Sequence, residues 1–253
     1  MEAWRFRMIR IRRVEIGNGR PKICVPITGK TADKILEQAV KIAKTNAELV
    51  EWRVDYTEFA SDRERIAEVL KNLREILGEK IILFTFRTKK EGGEQEINLS
   101  EYLELNYFAA KTGYVDLVDL ELFSGEEVIS CIQKVHSYNC KVILSNHDFS
   151  KTPDEKEIIR RICKMEEMGA DILKIAVMPQ KPIDVVVLLS ATCKVNEMVK
   201  KPVVTMSMAK LGVVSRLTGG IFGSAITFGT VEQASAPGQV PVDELSRYLA
   251  FFS

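Results

Sequence analysis

Among the residues able to do covalent chemistry, one stands apart because it falls inside a short apolar run. Lys174 lies in the middle of Asp171-Ile172-Leu173-Lys174-Ile175-Ala176-Val177-Met178-Pro179. An unbroken apolar run bounded by Gly169 and Pro179 reads as a parallel strand covered on both faces, where lysine is rare without compensation. Desolvation disfavours the ammonium form, so Lys174 is expected to reach the neutral amine that attacks a carbonyl carbon. Two structural readings stay open beside a Schiff-base nucleophile: snorkelling to water from the strand end, or pairing with a buried acid.

Val142-Ile143-Leu144-Ser145-Asn146-His147-Asp148 delivers a histidine at the end of the preceding strand. Sequential strands are neighbours in a wound sheet, which brings His147 within side-chain reach of Lys174. An amine beside an imidazole suits imine chemistry, whose steps all move protons. In Leu49-Val50-Glu51-Trp52-Arg53-Val54-Asp55, a period of two puts Glu51, Arg53 and Asp55 on one face. Glu51 and Arg53 are then expected to hold one another and a hydroxylated ligand, or only to fill an interior as an ion pair. Ile81 to Arg87 ends in another arginine and runs into a loop where Glu91 precedes the paired glycines Gly92 and Gly93, a site for a sharp bend or simply an exposed charged loop. Asp116, Asp119 and Glu121 are expected in structural roles, partnering Lys174 or Arg87. Met206 and Met208 share a face, as an apolar wall near Lys174 or as core; Arg216 follows on a short helix. The small-residue segment from Gly229 to Gln239 reads as a lid or as a merely mobile loop.

These residues need elements to position them. From Lys22 onward strand-like and helix-like segments alternate, which signals a parallel sheet. The strands are expected at Lys22 to Pro26, Ala47 to Val54, Lys80 to Arg87, Val115 to Leu122, Cys140 to His147, Asp171 to Met178, Pro202 to Met208 and Gly223 to Phe228. Helices are expected at Thr31 to Lys44, Ser61 to Leu77, Ser100 to Lys111, Ser124 to Val135, Pro153 to Met168, Pro182 to Val199, Ala209 to Leu217 and Val242 to Phe251. Eight βα units in 253 residues fit a single (β/α)8 TIM barrel spanning residues 1–253, with active-site residues at the C-terminal strand ends. Ahead of it, arginines at 5, 7, 10, 12 and 13 interleave with apolar residues. That stretch reads as a strand turning at Gly17-Asn18-Gly19, a β-hairpin that closes one end of the barrel.

Composition narrows the role. Lys plus Arg number 36 against 35 Asp plus Glu, so no global field draws nucleic acid or an anionic membrane, and a small-molecule role is favoured. Five scattered cysteines without a CxxC pair read as reduced thiols, and two histidines without clustered ligands argue against a metal site. No transmembrane-length run or signal-peptide pattern is found, and a cytoplasmic location is expected. Neither late loop has the form of a phosphate cradle, which speaks against sugar-phosphate substrates.

The motifs taken together resemble type I 3-dehydroquinate dehydratase, the Schiff-base dehydratase of the shikimate pathway. The resemblance rests on Glu51-Trp52-Arg53-Val54-Asp55, Thr85-Phe86-Arg87 with Glu91-Gly92-Gly93-Glu94, Ser145-Asn146-His147-Asp148-Phe149, Leu173-Lys174-Ile175-Ala176, Met206-Ser207-Met208, Ser215-Arg216-Leu217 and Ala234 to Gln239. It implies that Lys174 forms the imine with 3-dehydroquinate, that His147 is the general acid and base, and that Glu91 orients His147. It further implies that Arg216 binds the substrate carboxylate. Glu51, Arg53, Arg87, Ser235 and Gln239 would grip the remaining polar groups, with Met206, Met208 and Phe228 as apolar walls. No cofactor and no metal is implied, and relatives of that family are often homodimers. One departure is Pro26, where some relatives carry a serine near the substrate. The rival readings are another imine-forming barrel, such as a class I aldolase, and a non-catalytic ligand-binding barrel.

Overall fold

The structure, a computed structural model, describes residues 8–231 and 238–252. A two-stranded antiparallel hairpin, β1 (Ile9–Ile11) and β2 (Val14–Ile16), precedes eight parallel strands. These are β3 (Lys22–Ile27), β4 (Leu49–Arg53), β5 (Ile81–Thr85), β6 (Leu117–Glu121), β7 (Lys141–Asp148), β8 (Ile172–Val177), β9 (Val203–Ser207) and β10 (Ile226–Thr230). Helices α1 (Ala32–Ala43), α2 (Arg63–Leu77), α3 (Leu99–Lys111), α4 (Val128–His136), α5 (Glu155–Glu167), α6 (Pro182–Met198) and α7 (Ala209–Thr218) cross between successive strands. A short strand β11 (Val240–Pro241) beside β10 leads into α8 (Val242–Ala250). Each of β3 to β8 pairs with the next in sequence, and β10 returns to pair with β3. The ring closes between β9 and β10 at one bridge, Val203 to Ser224, where the Ser224 hydroxyl accepts the Thr205 amide at 3.1 Å. The expected (β/α)8 barrel is therefore present.

Strand alternation sorts two cores. Val50, Trp52 and Val54 face the helices along with Leu173, Ile175 and Val177. Leu49, Ile81, Leu83, Leu117, Ile143, Ile172 and Val204 fill the barrel interior. Both faces of each strand are buried, which is why the strands read as unbroken apolar runs. On the inward row, apolar residues sit toward the N-terminal end and Glu51, Arg53, Asp119, Ser145 and Lys174 toward the other. Pro26, opposite Glu51, stands past the β10 ladder, whose last pair on this strand is at Cys24.

The hairpin differs from its expected form. Its turn is Arg12-Arg13 rather than Gly17-Asn18-Gly19, with Ile11 opposite Val14 and Ile9 opposite Ile16. This register puts all four apolar side chains on one face, and buried Ile11 and Ile16 join the barrel-interior core. Arg12 takes a positive φ of 51°, held by a 2.6 Å bond from its Nε to Asp116. Thr31 caps α1 as expected, but other helix starts shift: the capping side chains are Asp62, Asn98 and Asp154. α4 begins at Val128 rather than Ser124, because Gly125 at φ 132° interrupts the approach.

Candidate active site

At the C-terminal ends of the strands, side chains from five barrel strands and from the segments that follow the strands converge on one cleft. Lys174, only 4% exposed, enters from the middle of β8. Its Nζ lies 3.4 Å from Asp119 Oδ2 and 3.7 Å from Glu51 Oε1, and 4.6 Å above the Phe228 ring centroid. The two acids come from β6 and β4, so a single amine is flanked by carboxylates from across the barrel. Glu51 is also held by the Thr85 hydroxyl at 3.0 Å.

The β7–β8 register sets Ser145 beside Lys174 and His147 beside Ala176. His147 and Lys174 both line the cleft. Glu91 closes against the histidine from the other side. Its Oε2 lies 3.0 Å from His147 Nδ1 and accepts the His147 backbone N–H at 2.9 Å, and its Oε1 accepts Asn146 Nδ2 at 3.1 Å. Glu91 ends a short helical turn, Lys89–Glu91, stopped by Gly92 at φ 84°. The next residue, Gly93, packs on the Arg87 carbonyl, which a Cβ would approach to 1.9 Å. The paired glycines therefore fold the loop back so that Glu91 is buried.

Charge states follow from this burial. Glu91 is pushed up to about 7, chiefly by desolvation and further by Glu121, against the pull of Arg87, Asn146 and the His147 amide. His147 is held well below its ordinary value by burial and by the positive charges of Arg87, Lys174 and Arg53. Its imidazole is thus neutral at neutral pH. Hydrogen-bonded to an ionised Glu91, Nδ1 carries the ring proton and leaves Nε2 as a base.

The arginines are more heavily engaged than strand position indicates. Arg53 does not pair with Glu51 as expected; it makes a two-pronged contact with Asp55, Nε to Oδ1 at 2.8 Å and Nη2 to Oδ2 at 2.7 Å. The 3₁₀ turn Val54–Tyr56 bends Asp55 back onto Arg53, a geometry that strict alternation does not contain. Arg87 meets Asp119 at 2.7 Å, Glu121 at 3.0 Å, Ser145 Oγ at 3.1 Å and Glu91 at 3.7 Å. Burial alone would lower it, but these carboxylates outweigh that and hold the guanidinium charged. Arg216 reaches the cleft from α7, 2% exposed, and burial lowers it to about 10. It remains a cation at neutral pH.

Met206, Met208, Phe228 and Gln239 also line the cleft, as does Phe149, to which sequence reading assigned no role. Ser235 and the rest of residues 232–237 lie outside the described residues, and with them most of the segment read as a lid. Asp119 partners both Lys174 and Arg87, and Glu121 partners Arg87, as expected of them, whereas Asp116 pairs with Arg12 and Arg74. Among the described residues no cluster of His, Cys, Asp and Glu could hold a metal ion, and no helix is long and apolar enough to cross a membrane.

The sequence profile of type I 3-dehydroquinase matches residues 23–253. The 3-dehydroquinate dehydratase of Clostridium kluyveri is 47% identical over 249 residues, covering 97% of this chain and 98% of that one. The enzyme of the same name from Listeria monocytogenes is 50% identical over 240 residues, covering 94% and 95%. A crystal structure of type I 3-dehydroquinate dehydratase from Clostridium difficile, with covalently modified comenic acid, superposes with a TM-score of 0.94 at 46% identity and covers 97% of this chain and 98% of its own. The 3-dehydroquinate dehydratase of Geobacillus kaustophilus gives 0.96 at 37% identity, covering 97% and 96%. A barrel with an amine, an imidazole and a carboxylate gathered at one cleft, matched over nearly its whole length by these enzymes, belongs to the type I 3-dehydroquinase family of hydro-lyases.

Proposed function

We propose that this chain dehydrates 3-dehydroquinate to 3-dehydroshikimate and water, a step of the shikimate pathway, through an imine on Lys174. The observation that carries the mechanism is the buried Lys174 amine sharing one cleft with a neutral, Glu91-bound His147.

In this reading Lys174 Nζ passes one proton to His147 Nε2 and attacks the substrate's ketone carbon, forming a carbinolamine to whose oxygen the imidazolium then returns that proton. Loss of water from the carbinolamine leaves a protonated imine, which draws electrons and acidifies the adjacent carbon. His147 Nε2 takes a proton from that carbon, and the electron pair moves to give an enamine. The enamine expels the hydroxyl one carbon further on, and the imidazolium returns its proton to make that leaving group water. Hydrolysis of the conjugated imine then frees the product and the amine. Glu91 accepts from His147 Nδ1 throughout, which fixes the ring and stabilises its charged form. Asp119 and Glu51, 3.4 and 3.7 Å from Nζ, stabilise the positive charge of the imine. Arg216 supplies a cation for the substrate carboxylate. Arg53 and Arg87, held by their own acids, present their outer edges to ring hydroxyls, with Ser235 and Gln239 as further donors. Met206, Met208 and Phe228 keep the reacting carbons dry.

Borohydride in the presence of 3-dehydroquinate is expected to inactivate the protein and to leave one reduced adduct on Lys174, located by peptide mass mapping. Lys174→Ala should stay folded, take no adduct and lose turnover. An adduct on another lysine, or dehydration without any trappable adduct, would overturn the imine mechanism. Turnover of 3-dehydroquinate separates this reading from an imine-forming aldolase.

A further inference from the structure

Resting on that reading, we infer that Asn146, clamped by Arg161, is a positioning residue that holds the Glu91 carboxylate against His147. Asn146 and His147 are consecutive on β7, so their side chains leave opposite faces of the strand. His147 faces the cleft; Asn146, 5% exposed, stands on the helix-facing row and does not line the cleft. From there it touches both Glu91 and α5. Its Nδ2 is 3.1 Å from Glu91 Oε1, and its Oδ1 is 2.8 Å from Arg161 Nη1.

The chemistry of Arg161 settles which way the amide points. A guanidinium has only donors, so the amide oxygen must face it, and the NH2 group must then face Glu91. Arg161 is itself anchored by Glu157 at 2.8 Å and Asp148 at 3.6 Å, over the Phe123 ring at 5.5 Å. The helix surface thus dictates a donor at Glu91 Oε1, while His147 supplies two donors at Oε2. With both oxygens engaged, the carboxylate cannot rotate away from the imidazole without breaking a bond.

The same donor favours the ionised carboxylate, the form that keeps the ring proton on Nδ1 and Nε2 free as a base. The other charges facing Glu91 are Arg87 at 3.7 Å, which helps, and Glu121, which opposes; Lys89 and Lys90 share its turn. Arg53 and Lys174 face His147. Asn146 is the neutral member of this set. Replacing it with aspartate keeps an acceptor toward Arg161 but turns an acceptor toward Glu91.

The test compares Asn146→Asp, Asn146→Ala and Arg161→Met with the unaltered enzyme in kcat and KM for 3-dehydroquinate across pH 5.5 to 9, alongside borohydride trapping. All three should still trap substrate on Lys174, with KM changed less than about twofold and kcat at pH 7 lowered about tenfold or more in Asn146→Asp. The acid limb of the kcat profile should move up by about one pH unit in Asn146→Asp and by less in the other two, so that activity recovers toward alkaline pH. An unmoved acid limb in variants that still trap, whether kcat is unchanged or uniformly reduced, overturns the positioning role and leaves the imine reading standing. Absence of a Lys174 adduct in the unaltered enzyme overturns the imine reading instead. Arg161→Met alters no residue of the cleft, so it keeps the test decisive if a substitution at 146 does not fold.

Discussion

Glu91 and His147 occupy one dry corner, and their protonation is displaced in opposite directions by the same burial. Folded Glu91 keeps its proton up to about pH 7, whereas an unperturbed carboxyl releases it near 4.5. Its ionisation between those values costs stability: the contribution is present in full below 4.5 and is lost as pH rises through 7. His147 runs the other way. Held neutral well below 6.5, it contributes stability above 6.5 that is lost as pH falls through its folded value. Glu91→Gln removes the first of these terms. A glutamine also meets the Asn146 and His147 donors less well, a loss that does not vary with pH. Urea denaturation at pH 5 and pH 8 should therefore show the variant improving relative to wild type by on the order of 1–3 kcal/mol between the two, while turnover falls. The same difference between variant and wild type at both pH values would mean that Glu91 is not carrying this charge cost.

At the scale of elements, the site depends on how the β5–α3 loop folds back. Gly93 stacks directly on the Arg87 carbonyl, and the adjoining Thr88 to Gln95 bridge fixes the loop that carries Glu91. Gly93→Ala would force the two segments apart, and a shift near 1 Å at a catalytic group can cost roughly 10²-fold in rate. The expected result is a kcat loss of about that size with Lys174 still trappable by borohydride; wild-type kcat would show that the packing does not govern Glu91. The glycine pair was legible in the sequence as a bend, and so was the strand order, because two-sided burial writes itself as apolar runs. What escaped was local geometry at strand ends. Arg53 turns to Asp55 because a 3₁₀ turn follows it, and the Glu91 to Asn146 contact joins residues 55 positions apart. The hairpin was misplaced for a related reason: Gly17-Asn18-Gly19 is the stronger turn signal, yet the register that buries Ile11 and Ile16 together requires the turn at Arg12-Arg13.

For the molecule as a whole, chemistry and stability are set at opposite ends of the barrel. The cleft sits at the C-terminal strand ends, while the hairpin seals the other end with Ile11 and Ile16 against Cys24, Leu49, Ile81 and their neighbours. Parallel barrels separate function from fold in this way because catalytic groups come from the C-terminal halves of the strands and the loops after them. Ile16 is fully buried, and the interior row above it continues through Leu49 to Glu51 before the charged layer begins. Truncating it leaves a cavity several apolar side chains away from Lys174. Ile16→Ala should lower unfolding free energy by about 2–5 kcal/mol, the usual cost of such a core truncation. Because the charged layer is braced by its own pairs, Asp55 with Arg53 and Asp119 with Arg87, kcat and borohydride trapping below the lowered melting temperature should match wild type. Denaturant melts read beside steady-state rates check both halves. A variant that keeps its stability would show that the hairpin does not seal the core, and one that stays folded but loses kcat would show that the two ends of the barrel are coupled.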